Sequence, residues 1–195
     1  MIRAQYRYRC VMSISADDRL ANLLGAVATG IDDAVIGALT SDGLDATTAT
    51  ALVALLDFSP AGSVERLRHG VGLTHSGAVR LVNRLDALGL AERRRGDDQR
   101  SVAVVLTRAG RRAAHRLRRR RSAAVRDGLV GLTVMEHQQL TAACEVILAA
   151  LTRQRLAQRM AGEAPTGGAL CRLCDFATCG RPDGLCPVNR AAVGD

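Results

Sequence analysis

Residues 171–186 read CRLCDFATCGRPDGLC, so Cys171, Cys174, Cys179 and Cys186 place four thiols in one short stretch. Four thiolates are the donor set of a tetrahedral zinc site, and soft sulfur equally suits iron–sulfur clusters. The spacing C-x2-C-x4-C-x6-C requires the chain to fold back repeatedly, and Gly180, Pro182, Gly184 and Pro187 are residues that bend a chain at low cost. Cys186-Pro187 is also the kind of dipeptide that closes bacterial cluster-binding runs. Three chemistries therefore stand open: zinc on four thiolates, an iron–sulfur cluster, or unmetallated redox thiols. The remaining cysteines fall elsewhere. Cys10 lies in a basic leader, and Cys144 sits beside Ile147 and Leu148 on the apolar face of a predicted helix, which implies a buried, inert thiol. His69, His75, His115 and His137 are scattered and share no ligand spacing.

The elements that would position these thiols read as helices. The 195 residues are 48% hydrophobic but only 2% aromatic, a composition of small aliphatic side chains that favours packed helices over a sandwich. From Ala16 to about Thr40, apolar residues recur at Leu20, Leu23, Leu24, Val27, Ile31, Val35, Ile36 and Leu39, close to helical rhythm, behind the start signal Ser15-x-Asp17-Asp18. A second helix should run from Ala46 to Phe58 and end at Ser59-Pro60-Ala61-Gly62. In residues 63–90 a short helix meets the break Gly70-Val71-Gly72. Thr74 then caps another helix with an expected buried face of Val79, Val82, Leu85 and Leu88. Its outer face carries His75, Ser76, Arg80, Asn83 and Arg84. Two extended segments, 91–95 and 101–106, flank the polar turn Gly96-Asp-Asp-Gln-Arg100 and predict a hairpin. An arginine-rich helix from Thr107 to about Val130 and a Thr133-capped helix from Val134 to about Met160 follow, and residues 161–168 have linker composition.

The formal net charge is +8, concentrated in Arg93–Arg100 and Arg108–Arg126, which is the distribution of a basic footprint for an anionic partner. In the run Arg116, Arg118, Arg119, Arg120 and Arg121 the charge points around most of a helix, so it divides between solvated surface and phosphate contact. No apolar run reads as long enough to cross a bilayer, and the first eleven residues are basic with no hydrophobic stretch behind them, so the expectation is a cytoplasmic protein without membrane contact. Neither a Gly-rich phosphate loop nor His-Glu-x-x-His occurs, and no nucleophile has an evident His partner, so catalysis is not expected.

Recognition helix followed by hairpin is the order of a winged helix. The stretch AVRLVNRLDALGLAERRRGDDQRS, residues 78–101, with Asp98-Gln99-Arg100 and then Leu106-Thr-Arg-Ala-Gly110, resembles the MarR family of bacterial transcription regulators, whose motifs are LVxRLxxxGL, Asp-x-Arg and LTxxG. The resemblance covers roughly residues 16–158 and implies a mainly α fold, a winged helix-turn-helix with a small β-hairpin wing and long dimerisation helices. It also implies a homodimer on double-stranded DNA, each winged helix on half of a pseudo-palindromic operator, with repression relieved by a small-molecule effector or by thiol oxidation. Ser76, Arg80, Asn83 and Arg84 would then enter the major groove, flanked by Thr74 and His75. Arg100 would reach the minor groove beside Arg94 and Arg95, and Asp98 would brace the wing. The resulting division is a leader (1–15), an N-terminal dimerisation helix (16–43), the DNA-binding domain (44–107), C-terminal dimerisation helices (108–160), and a linker with a four-cysteine metal-binding tail (161–195). The four-cysteine tail is a departure from ordinary members of the family. A competing reading makes the chain a metal or iron–sulfur redox protein whose winged helix serves protein contacts.

Overall fold

The computed structural model describes residues 15–96, 102–163 and 167–194. The leader with Cys10 and the tip of the hairpin, with Asp98 and Arg100, lie outside the described residues. The order is α1 (Ala16–Thr40), α2 (Ala46–Asp57), α3 (Val64–Val71), α4 (His75–Ala87), β1 (Ala91–Arg95), β2 (Val102–Leu106), α5 (Arg108–Asp127) and α6 (Val134–Met160). A single 3-10 turn, Leu170–Leu173, and the short α7 (Pro187–Val193) complete it. The fold is mainly α with one antiparallel hairpin, in register from Ala91 opposite Leu106 to Arg95 opposite Val102.

The helices start where small polar side chains can satisfy the free amides of the first turn. Ser15, Asp45, Ser63, Thr74 and Thr107 each accept a hydrogen bond from the backbone N–H three residues on, and Thr133 forms a full capping box with Glu136. α3 ends at Gly72 with φ of 80°, a left-handed conformation that frees the chain to turn into α4.

The core is small-residue packing around α2. Leu39 from α1, Leu52 and Val53 from α2, Leu67 from α3, Leu81, Val82 and Leu85 from α4, Val104 and Leu106 from β2, and Ala114 and Leu117 from α5 form one buried cluster. Three expectations need correction. The buried face of α4 is Ala78, Leu81, Val82 and Leu85, whereas Val79 is 36% and Leu88 49% exposed. The true stripe is an i, i+3, i+4, i+7 set, rotated from the predicted one because it must meet α3, β1 and α2 together. Cys144 is exposed rather than buried. It shares α6 with Leu140, Ile147 and Leu151, which are also exposed among the described residues. Finally, α1 is long and apolar enough to span a bilayer by length and composition, with a mean hydropathy of 1.5. Its C-terminal half instead packs in the helical core through Val35 and Leu39, while Leu20, Leu23, Leu24 and Val27 stay exposed.

Candidate nucleic-acid interface and cysteine site

α4 presents its first turn outward. Thr74 accepts from Gly77 N at 3.1 Å, and its hydroxyl lies 3.3 Å from Ser76 Oγ, so both small polar groups sit at the helix entry. His75 is exposed, with Nδ1 3.8 Å from Glu65 Oε2. Arg80 and Arg95 are exposed and make no ion pair among the described residues. The other predicted readers are engaged within the chain. Arg84 pairs with Asp45 at the start of α2, and Asn83 Oδ1 accepts from Arg93, which also reaches Asp86 at 3.4 Å. Arg94 pairs with Glu92 on the same strand. Among the described residues Arg80 and Arg95 thus make no ion pair, Ser76 touches only the neighbouring Thr74 hydroxyl, and Asn83, Arg84 and Arg94 are tied to neighbours.

Asp45 holds two elements together. Burial alone would raise its pKa, but the Thr48 hydroxyl at 2.6 Å, the Thr48 N–H at 3.0 Å and the Arg84 guanidinium outweigh it and hold the carboxyl below its usual value. Asp45→Ala is expected to cost about 1 kcal/mol of stability through the lost cap, read as a lower denaturant midpoint. Because the folded pKa is depressed, this contribution is present at neutral pH and is lost as acidification carries pH down through the folded pKa.

Solved structures share this arrangement. A MarR-family regulator from Silicibacter pomeroyi is 27% identical, with a TM-score of 0.54, over 73% of this chain and 96% of that one. CouR from Rhodococcus jostii RHA1, solved with p-coumaroyl-CoA, is 26% identical, with a TM-score of 0.55, over 69% and 95%. The chain is similar in fold and sequence to MarR-family transcriptional regulators. A third match, a MarR-family regulator from Listeria monocytogenes complexed with a 26mer DNA, has a TM-score of 0.57 at 17% identity, over 75% and 97%, and speaks to the fold alone. No protein-family model matches the sequence, and neither does any curated protein.

Beyond the MarR winged helix, the cysteine loop is built on internal turns. The 3-10 turn carries Cys171, and Cys174 N donates to its carbonyl at 3.1 Å. Asp175 then organises the next bend: its Oδ1 accepts from Ala177 N at 3.1 Å, and its carbonyl from Thr178 N at 3.1 Å and Cys179 N at 3.0 Å. Gly180 has φ of 74°, and a Cβ there would lie 2.9 Å from Leu185 Cβ, so this bend requires glycine. Cys186 precedes Pro187, the first residue of α7.

Cys171 and Cys174 lie close enough to perturb each other's titration, Cys186 lies close enough to Cys179 to perturb its thiol, and the Cys179 thiol donates to the Phe176 carbonyl at 3.9 Å. Among the described residues no three His, Cys, Asp or Glu side chains are gathered tightly enough to hold a metal. Closing on zinc would draw the sulfurs to about 3.8 Å apart, as Zn–S bonds of ~2.3 Å require. The hydrogen bond from the Cys171 thiol, helped by Arg121 and Arg172, lowers Cys174 to about 7, and the same pairing raises Cys171. Burial raises Cys179. The surroundings are cationic. Arg181 stacks 4.6 Å from the Phe176 ring, and Arg121 Nε is a buried donor with no hydrogen-bond partner among the described residues. An orphaned guanidinium N–H near the Cys174 thiol fits an anionic thiolate centre, which would supply the missing acceptor and countercharge.

The sequence reading missed three residues here. Arg118, within the arginine run, is only 15% exposed and lies 2.7 Å from Asp57 and 3.2 Å from Asp175. Arg116 and Arg120 reach Asp42, leaving Arg119 as the member of the run with neither an ion pair nor a place beside the thiols among the described residues. Asp175, which reads as an ordinary loop residue, is both the turn-former and an ion-pair partner. Partners some 60 positions apart have no local signature; the Asp two residues before an amide it caps is the one signal the sequence carried.

Proposed function

We propose that this MarR-like chain is a cytoplasmic, sequence-specific repressor that binds a pseudo-palindromic operator in double-stranded DNA as a homodimer. Its four cysteines would hold zinc, and a small-molecule effector would relieve repression. The observation that carries the reading is the outward face of α4, where Ser76 touches only the Thr74 hydroxyl and Arg80 makes no ion pair among the described residues, beside an arginine-bearing hairpin. Arginine is the common bidentate reader of guanine, and small hydroxyls accommodate either base edge. Arg84 and Asn83 would have to exchange their present partners for DNA, so Arg80 is the leading reader and Arg100 the wing contact. The exposed apolar faces of α1 and α6 support pairing with a second copy, and the CouR structure with p-coumaroyl-CoA supports an effector. Catalysis is not part of the reading, since the related solved structures are regulators.

Cys171, Cys174, Cys179 and Cys186 are the proposed zinc ligands, with an iron–sulfur cluster as the second reading because of Cys186-Pro187. Bound zinc would supply a cross-link for a segment that has little regular structure of its own. The Arg118, Arg121, Arg172 and Arg181 side chains would balance its thiolates.

The experiment is a salt titration of binding to the chain's own upstream DNA. Affinity should fall steeply with salt; Arg80→Ala should cost about 1–3 kcal/mol and relax specificity, while a variant losing a phosphate contact should flatten the salt slope by about 1. Binding indifferent to Arg80→Ala and Arg100→Ala would favour a redox protein that uses its winged helix for protein contacts. Metal analysis and an absorption spectrum after anaerobic purification separate the two metals: colourless and equimolar in zinc, or brown and bleached by air.

A further inference from the structure

The cysteine segment is clasped to the turn of the helix-turn-helix. Gly70 closes α3, and its carbonyl accepts from Ala169 N at 2.8 Å. A Cβ on Gly168 would lie 2.3 Å from that same oxygen, and a Cβ on Gly72 would lie 2.6 Å from the Gly167 carbonyl carbon. Two backbones therefore touch through four glycines, Gly70 and Gly72 on one side and Gly167 and Gly168 on the other, at the bend that orients α4. Arg155 of α6 fastens the far side, its Nη1 donating to the Gly168 carbonyl at 2.7 Å.

A second link lies at the end of α2. Asp57 Oδ2 accepts from Arg118 of α5 at 2.7 Å and from Phe176 N, between Cys174 and Cys179, at 3.0 Å. Arg118 is shared with Asp175 Oδ1 at 3.2 Å, so one largely buried guanidinium and two carboxylates join α2, α5 and the cysteine loop. Leu173, between Cys171 and Cys174, packs against the main core. The expected free linker is thus anchored where it is described: the Gly168 carbonyl is bonded to Arg155 on one side and Ala169 N to Gly70 on the other.

We propose that metal occupancy of the four cysteines sets DNA affinity by locking this clasp against the helix-turn-helix, an inference that rests on the metal reading above. The loop between Cys171 and Cys186 has one 3-10 turn as its regular structure, and a tetrathiolate centre is the cross-link that offsets its conformational entropy. With the metal gone, Phe176 N and Ala169 N leave Asp57 and Gly70, and the Gly70–Gly72 bend loses its backing. α4 then samples orientations that do not fit a half-site. The coupling is reciprocal, so operator DNA must tighten metal binding by the factor by which metal tightens DNA binding.

The test uses the full chain, zinc-loaded or stripped by chelator under reducing conditions, titrated with a duplex of its own upstream DNA. Stripping should weaken binding about tenfold, within the ~5- to 150-fold range of allosteric coupling, and should speed amide hydrogen exchange in residues 67–74. Zinc-loaded Gly168→Ala should retain equimolar zinc, bind DNA as weakly as the stripped protein and no longer respond to zinc. Asp57→Ala should do the same if Gly168→Ala does not fold. Equal DNA affinity and equal exchange with and without bound zinc would overturn the coupling and leave the metal site standing. Failure to bind any metal would overturn the metal site and the coupling together, and the exchange comparison decides even if the chosen duplex is not bound.

Discussion

Leu24→Asp should leave a folded monomer and reduce operator affinity by roughly a hundredfold or more, since a dimer on two half-sites gains ~10²–10⁴ over either half alone. Leu24 is 46% exposed, in a row with Leu20, Leu23 and Val27 on the half of α1 that lies beyond the chain's own core. Exposed Leu140, Ile147 and Leu151 give α6 a similar face. Apolar faces of this extent mark protein contacts in a soluble chain. A carboxylate buried without a partner at the centre of the proposed dimer would cost several kcal/mol, while the same carboxylate on a monomer is merely solvated. Light scattering and a DNA titration check both halves of the expectation. A dimer of unchanged affinity would place the pairing surface elsewhere, and Ile147→Asp provides the parallel test on α6.

Gly110→Ala should destabilise the fold by about 3 kcal/mol, the upper end of ordinary overpacking costs, lowering the melting temperature by roughly 6–12 °C for a chain of this size. Gly110 stands in the first turn of α5, and a Cβ there would fall 1.8 Å from the Leu90 carbonyl oxygen. That oxygen also accepts from Thr107 N at 3.1 Å, so it cannot retreat without breaking the junction between hairpin and helix. Neither partner is the flexible end of a side chain, and the strain has no easy outlet. Thermal unfolding followed by circular dichroism reads the shift, and a melting temperature within a degree of wild type would show that α5 can slide away from Leu90.

Gly110 also illustrates what was legible. Its place in Leu106-Thr-Arg-Ala-Gly110 marks the start of a helix, and Thr107 as cap follows from local chemistry alone. The need for glycine there does not, because it arises from a carbonyl twenty residues earlier. The same division runs through the candidate site. Ser15, Thr74 and Thr133 announced their helices because a cap acts within one turn. The α4 stripe came out rotated because periodicity gives a pattern and not a partner: Val79 and Leu88 are as apolar as Ala78 and Leu81, and only the positions of α2, α3 and β1 select between them. Cys144 was misjudged for the same reason, its helix face being apolar yet exposed among the described residues.

By itself the sequence determined the order of helices and hairpin, the capping chemistry, the four-thiol spacing and the likeness to MarR regulators, since each is encoded within a few residues. Tertiary structure alone decided that the arginine run is largely ion-paired, that Arg84 and Asn83 have partners inside the chain, and that the cysteine segment sits against the helix-turn-helix. Those facts depend on Arg118 meeting Asp57 and Gly168 meeting Gly70, contacts across about 60 and about 100 positions that no local propensity can express.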